Sequence, residues 1–175
     1  KTNWDWTVFY KDFDDPEFKD DLARLPKEID AFTAAIAASA EDEVEKLVSL
    51  VHQEEALSNL FERLNLMIGL TLSVDANNKA ANAAMAPLMR AVMGSSLASN
   101  AFSRYLASLE NLDAIIDADD ELKARAFALR EAAEDAKHQL PEALEKPVLK
   151  MQLSGGEAFS QLRDKLDATL LVDYD

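Results

Sequence analysis

Apolar residues recur along most of this chain with the alternating three- and four-residue spacing of a helix buried on one side. Phe18, Leu22, Leu25, Ile29, Phe32 and Ile36 form one unbroken stripe of this kind. "DDPEF" at its start supplies the signals for a helix N-terminus. Asp15 can cap, Pro16 suits the first helical position, and Glu17 lies at the positive end of the helix dipole. Pro26 sits inside the stripe and predicts a kink or a split near Leu25.

A second helix is predicted over 40–73 on the stripe Val44, Leu47, Val48, Val51, Leu57, Leu60, Phe61, Leu64, Met67 and Ile68. Leu57 falls out of the early phase, which predicts a bend or a change of neighbour there. A third helix opens near "VDANN" and runs through Met85, Leu88, Met89 and Val92. It either continues to Leu109 or breaks at Gly94, Ser95 and Ser96, which weaken its middle. Met85, Met89 and Met93 share one face; they are core filler, or else an adaptable peptide-binding face. "NLDAIIDADDELKARAFALREAAEDAKHQL" predicts a short helix end, a turn at 117–120 and a further helix to about His138. "PEALEKPVLKMQ" predicts another short helix, opened by Pro141 and kinked at Pro147.

Two stretches lack this pattern. "KTNWDWTVFY" begins with alternating polar and aromatic residues. It is expected to be an extended arm whose rings Trp4, Trp6, Phe9 and Tyr10 dock on the body; packing is the ordinary role of such rings, and stacking on a ligand the alternative. "TLLVDYD" at the other end has β character but no partner strand. No internal repeat and no linker interrupts the chain, so a single domain over 1–175 is expected. The fold class is all-α: an antiparallel, bundle-like assembly of about six or seven helices with an aromatic N-terminal arm.

Composition narrows the function. Glycine (4) and proline (5) are scarce, which fits a helical chain with few turns. A net charge of −15 with no local Lys/Arg cluster argues against nucleic acid as a partner. No apolar run reaches the roughly 18 residues of a membrane span, so no membrane partner is expected. Without cysteine there is neither a disulfide nor a thiolate metal site, and a cytoplasmic location fits.

The search for chemistry centres on "LSGGEAFSQLRDKL", residues 153–166. A phosphate loop would need a following lysine and a preceding strand; neither is present. The better reading is a helix start. Ser154 would cap it, and Glu157 would reach back to the Ser154 amide in a capping box, ahead of the stripe Phe159, Leu162, Leu166 and Leu170. Metal chemistry has little to work with. His52 and His138 are the only histidines, and no H-E-x-x-H motif occurs. A di-iron bundle wants E-x-x-H, but Ser49 and Asp135 stand three residues before the two histidines. Both histidines read as helix-surface or helix-end residues. No G-x-S-x-G occurs, and no pair of carboxylates is marked for acid–base work. No catalytic, cofactor-binding or metal-binding residue is assigned.

Several stretches nevertheless resemble one family. "WDWTVFY" followed by "DDPEFKDDLARLPKEIDAF", then "LSVDANNKAANAAMAPL", "KHQLPEALEKPVLKMQLSGGEAFSQLRDKL" and "TLLVDYD" are similar, in that order, to the N-terminal region of the oligoendopeptidase F family of zinc metallopeptidases. Pro26 and Pro147 depart from the smooth helices of that pattern, and the family's catalytic H-E-x-x-H is absent. The resemblance implies an N-terminal fragment whose helices help to wall a cavity that admits oligopeptides. It implies a zinc-bearing catalytic domain of the same polypeptide, beyond residue 175, as the principal partner, with oligopeptides as substrates. No metal or catalytic residue passes to this chain. The rival expectation is a free-standing helical interaction module.

Overall fold

The computed structural model describes residues 7–170, and among these every regular element is helical. Three long helices come first: α1 (Pro16–Ala37), α2 (Glu43–Val74) and α3 (Lys79–Ser108). Short α4 (Leu112–Ala118), α5 (Asp120–Ala124) and α6 (Ala126–Asp135) follow, then a single 3₁₀ turn, Ala136–His138. The described chain closes with α7 (Glu142–Gln152), a π-helical segment (Leu153–Glu157) and α8 (Ala158–Thr169). These last three are continuous, so the eight α-helical segments make seven separate helices.

Side-chain caps set the starts. Asp15 accepts from the Glu17 amide at 3.0 Å, Asp42 from Val44 at 2.8 Å, Asn78 from Ala81 at 3.0 Å and Asp119 from Glu121 at 2.8 Å. The tight connections fold the three long helices up, down and up. Tyr105 near the end of α3 donates to Glu43 at the start of α2 (2.6 Å), and Phe32 late in α1 packs on Phe102 late in α3. The core lies between them, with Leu25, Phe32, Leu47, Leu50, Leu64, Ile68, Leu88 and Leu106 almost wholly buried. Ile116, Leu122 and Leu129 extend it under the shorter helices.

Several expected interruptions are absent. Pro26 does not split α1, and Pro147 does not split α7. A helix-interior proline costs about 3 kcal/mol. Pro26 and Pro147 both lie on exposed sides, where water can serve the carbonyl that loses its amide partner. Leu25 and Ile29 keep α1 pinned to the core on either side of Pro26. The apparent phase slip in α2 has a different cause: the stripe position between Val51 and Leu57 is held by half-buried Glu54. α3 also passes unbroken through 94–96. Gly94 is the point where α1 crosses it, and a Cβ there would lie 3.3 Å from Ile29 Cγ2. Alanines 84, 91 and 98 line the same buried side, so α3 presents a low ridge to its neighbours.

The π segment overturns the expected helix start at 154. Ser154 caps nothing; its hydroxyl donates back to the Lys150 carbonyl at 2.8 Å, and the residue ahead of α8, Glu157, is itself helical. A helix already under way leaves no free first-turn amides at 154–157 for a capping box to serve. Of the expected arm, Trp4 and Trp6 lie outside the described residues, as does the tail from 171. Phe9, Tyr10 and Phe13 pack on the body, Tyr10 and Phe13 each edge-on to Phe18.

The crossing of α1 and α3 gives a direct test. Gly94→Leu forces Ile29 off its site, and overpacking of this kind should lower stability by about 1–3 kcal/mol in urea denaturation. Gly69→Ala, whose Cβ would meet nothing within 4 Å, should leave stability unchanged or raise it by up to about 1 kcal/mol.

Candidate functional site

A concavity lies where α8 runs past the α2–α3 turn. One part, about 440 Å³, is lined by Gly69, Leu72, Ser73, Ala76, Asn82, Met85, Gln161, Asp164 and Lys165. A second, about 390 Å³, shares Asn82, Met85, Gln161 and Lys165 and adds Ala86, Met89 and Glu157, so the two form one cleft. Each wall has an evident origin. Asn82 is held by its side-chain amide, which donates to the Ala76 and Asn78 carbonyls at 3.0 and 2.8 Å. Ser73 donates to the Gly69 carbonyl at 2.8 Å, so its hydroxyl is engaged by its own helix. Met85 and Met89, half-buried on α3, supply the adaptable apolar floor, while Met93 lines neither part. α8 turns Gln161, Asp164 and Lys165 toward this floor. The cleft therefore offers amide, carboxylate and ammonium groups over thioethers. Sequence reasoning did not mark Asn82, Gln161 or Lys165, because their juxtaposition depends on how α8 folds back.

Two buried carboxylates fasten the parts around this core. Asp21 is 6% exposed; it accepts from the Tyr10 hydroxyl at 2.8 Å and from Arg24 at 2.8 Å, with Arg63 at 3.5 Å. Arg63 also donates to the Phe9 carbonyl and to Glu17 and lies over the Tyr10 ring, tying the N-terminal stretch to α1 and α2. Burial, and then the bond to Asp21, pushes the Tyr10 hydroxyl well above its ordinary value. Glu145 on α7 is 3% exposed and accepts from Arg104 at 2.6 Å and Asn100 at 3.1 Å, both on α3. Arg104 also donates to Gln139 at 3.0 Å.

Neighbouring glutamates on α2 titrate in opposite directions. Burial, and next the charge of Glu55, raises Glu54, which lines a small cavity of about 100 Å³ with Ser58, Ser95 and Ser99. Glu55 is lowered, first by its bond to Arg125 at 2.5 Å.

The histidines are far apart in role. His52 on α2 pairs with Glu121 of α5 at 2.6 Å, beside a shallow depression that also includes Ser49. The Ser49 hydroxyl is taken by Gln53 at 3.1 Å. His138 stands exposed in the turn after α6. Among the described residues no group of three or more His, Asp or Glu is placed to hold a metal ion, so the residues present do not fit a zinc centre. Among the described residues no helix is long and apolar enough to cross a membrane.

From the last two residues of α3 through α8, residues 107–171 match the sequence model of a peptidase N-terminal family described as oligopeptidase F. This segment is similar to the N-terminal region of oligopeptidase F. No curated relative and no solved structure matches the chain. The matched segment contains α4 to α8, one wall of the cleft, and Glu145, whose bond to Arg104 fastens it to α3. It covers the similar stretch quoted from 137–166, while those at 4–32 and 72–88 lie outside it.

Two measurements probe this arrangement. Glu145→Ala leaves Arg104 and Asn100 without their acceptor. It should cost about 1–3 kcal/mol, less than a fully buried pair because Arg104 is partly exposed, and should speed hydrogen exchange across 142–152. Glu54 is a carboxyl raised in the folded state. Its neutral form suits the fold below its ordinary 4.5, and stability is lost as pH rises through the higher folded value. Glu54→Gln should therefore stabilise the protein at pH 7, with the gain vanishing below about pH 4 in urea titrations.

Proposed function

We propose that the chain is the non-catalytic N-terminal helical region of an oligopeptidase F-type zinc metallopeptidase. In this reading residues 1–175 act as one helical domain that helps to enclose a cavity admitting oligopeptides. The catalytic domain of the same polypeptide is its main partner and would hold the zinc. A cytoplasmic enzyme acting on peptides accords with a cysteine-free, acidic chain.

The observation that carries this reading is the family match across 107–171. The cleft beside α8 supports it, since its mixed polar and thioether lining can meet both the backbone and varied side chains of an extended peptide. The alternative is a free-standing interaction module; the large apolar side chains that the α7–α8 helix turns outward fit either reading.

The first reading expects the coding sequence to continue in frame past codon 175 into an H-E-x-x-H helix. It also expects the purified 175-residue chain to carry no stoichiometric zinc and to leave quenched fluorescent oligopeptides intact. A stop codon directly after Asp175, or metal-dependent hydrolysis by this chain alone, overturns it.

A further inference from the structure

The last helix is amphipathic in the inverted sense. α8 turns polar Gln161, Asp164 and Lys165 toward the cleft, while Phe159, Leu162, Leu166 and Leu170 are 52–73% exposed. The stripe continues backward over α7 through Met151, Val148 and Leu144 to Leu140.

The positions of these eight residues are symmetric. Leu140 and Leu170 lie fifteen residues on either side of Gly155, Leu144 and Leu166 eleven, Val148 and Leu162 seven, Met151 and Phe159 four. The π segment keeps both halves on one face. Two α turns take about 7.2 residues, and a π bulge adds about one more, close to the interval from Met151 to Phe159. A two-fold interface requires that residue i meet j while j meets i. An antiparallel pair of these helices, with the axis at Gly155, satisfies that rule for the six members that lie on the helix, Leu144, Val148, Met151, Phe159, Leu162 and Leu166, while Leu140 and Leu170 flank its two ends.

We propose that two copies of this chain pair through the α7–α8 helix about a two-fold axis at Gly155, an interaction that goes beyond the peptidase reading. Three observations select a second copy as the occupant. First, the stripe exposes on the order of 900 Å² of residue surface per copy, against about 800 Å² per partner in a standard interface. Second, charge does not oppose contact here. Among the exposed charges of this helix that do not line the cleft, Lys146, Lys150 and Arg163 stand against Glu142 and Asp167, although the whole chain carries −15. Third, Gly155 stands at the centre with nothing within 4 Å of where a Cβ would lie, so the two backbones can approach at the axis. Phe159 then meets the partner's Met151, a favourable sulfur–aromatic contact.

Sedimentation equilibrium of the 175-residue chain should give twice its 19.4 kDa mass at micromolar concentration. Added salt should leave the dimer as tight or tighter by screening the remaining acidic surface. Leu144→Lys and Leu166→Glu, both at exposed positions, should each weaken association at least tenfold without changing helicity. Combined in one chain they should restore it, because position 144 faces the partner's 166 twice. Gly155→Cys, the only thiol in the molecule, should form a disulfide-linked dimer with oxidised glutathione, whereas Lys150→Cys should not. A monomer at 100 µM, a double variant that stays monomeric, or equal cross-linking at both cysteines overturns the proposal. So does a longer natural polypeptide in which this stripe is covered by another of its own domains.

Discussion

α1, α2, α6 and α7 all pack against α3, and α3 can serve that purpose because its buried side is small. Ile29 of α1 rests over Gly94, while alanines at 84, 91 and 98 fill the adjoining positions. With little side-chain bulk between them, the first and third helices come close enough for Phe32 and Phe102 to share a contact at one end. The larger side chains that fill the core come chiefly from α2, whose leucines and Met67 close the space that a low ridge leaves open. The weak helix propensity at Gly94 is thus a local cost of a tertiary gain, since a glycine loses about 1 kcal/mol against alanine in a helix.

The parts added to this three-helix core are held by charge as well as by apolar contact. Asp21 gathers Tyr10, Arg24 and Arg63; Glu145 gathers Arg104 and Asn100. Each carboxylate is buried but well supplied with donors, which is the condition under which a buried charge is tolerable. Such contacts specify geometry more narrowly than leucines do. One fixes where the N-terminal stretch lies on α1 and α2; the other fixes the angle at which α7 leaves α3. The cleft beside α8 inherits its position from the second.

Much of this was legible in the residues. The stripe of α1 and its Asp15–Pro16–Glu17 start were readable because local spacing and capping chemistry act within a few residues. The local pattern left open whether Pro26 would kink or split α1 and whether α3 would run on to Leu109 or break at 94–96; both helices are continuous, because burial on both sides outweighs local propensity, and burial depends on partners distant in sequence. Ser154 and Glu157 carried the spelling of a capping box, yet a helix already under way upstream leaves no free amides to cap. The cleft was not legible. Asn82 and Lys165 are far apart in the chain, and nothing in either local pattern announces that α8 folds back beside α3. The family resemblance, by contrast, was visible in short motifs, and the match across α4 to α8 agrees with it.

The single supernumerary residue carried by Leu153–Glu157 sets the azimuth of everything after it. Each residue advances an α-helix by about 100°, so removing one from this segment would swing α8 around its own axis by more than a quarter turn. Phe159 and Leu166 would be carried out of line with Met151 and Leu144, and the groups that Gln161 and Lys165 present to Met85 would rotate away with them. One peptide unit thereby governs both what the cleft can hold and which side of the molecule is greasy, so an insertion or deletion there would alter the two together.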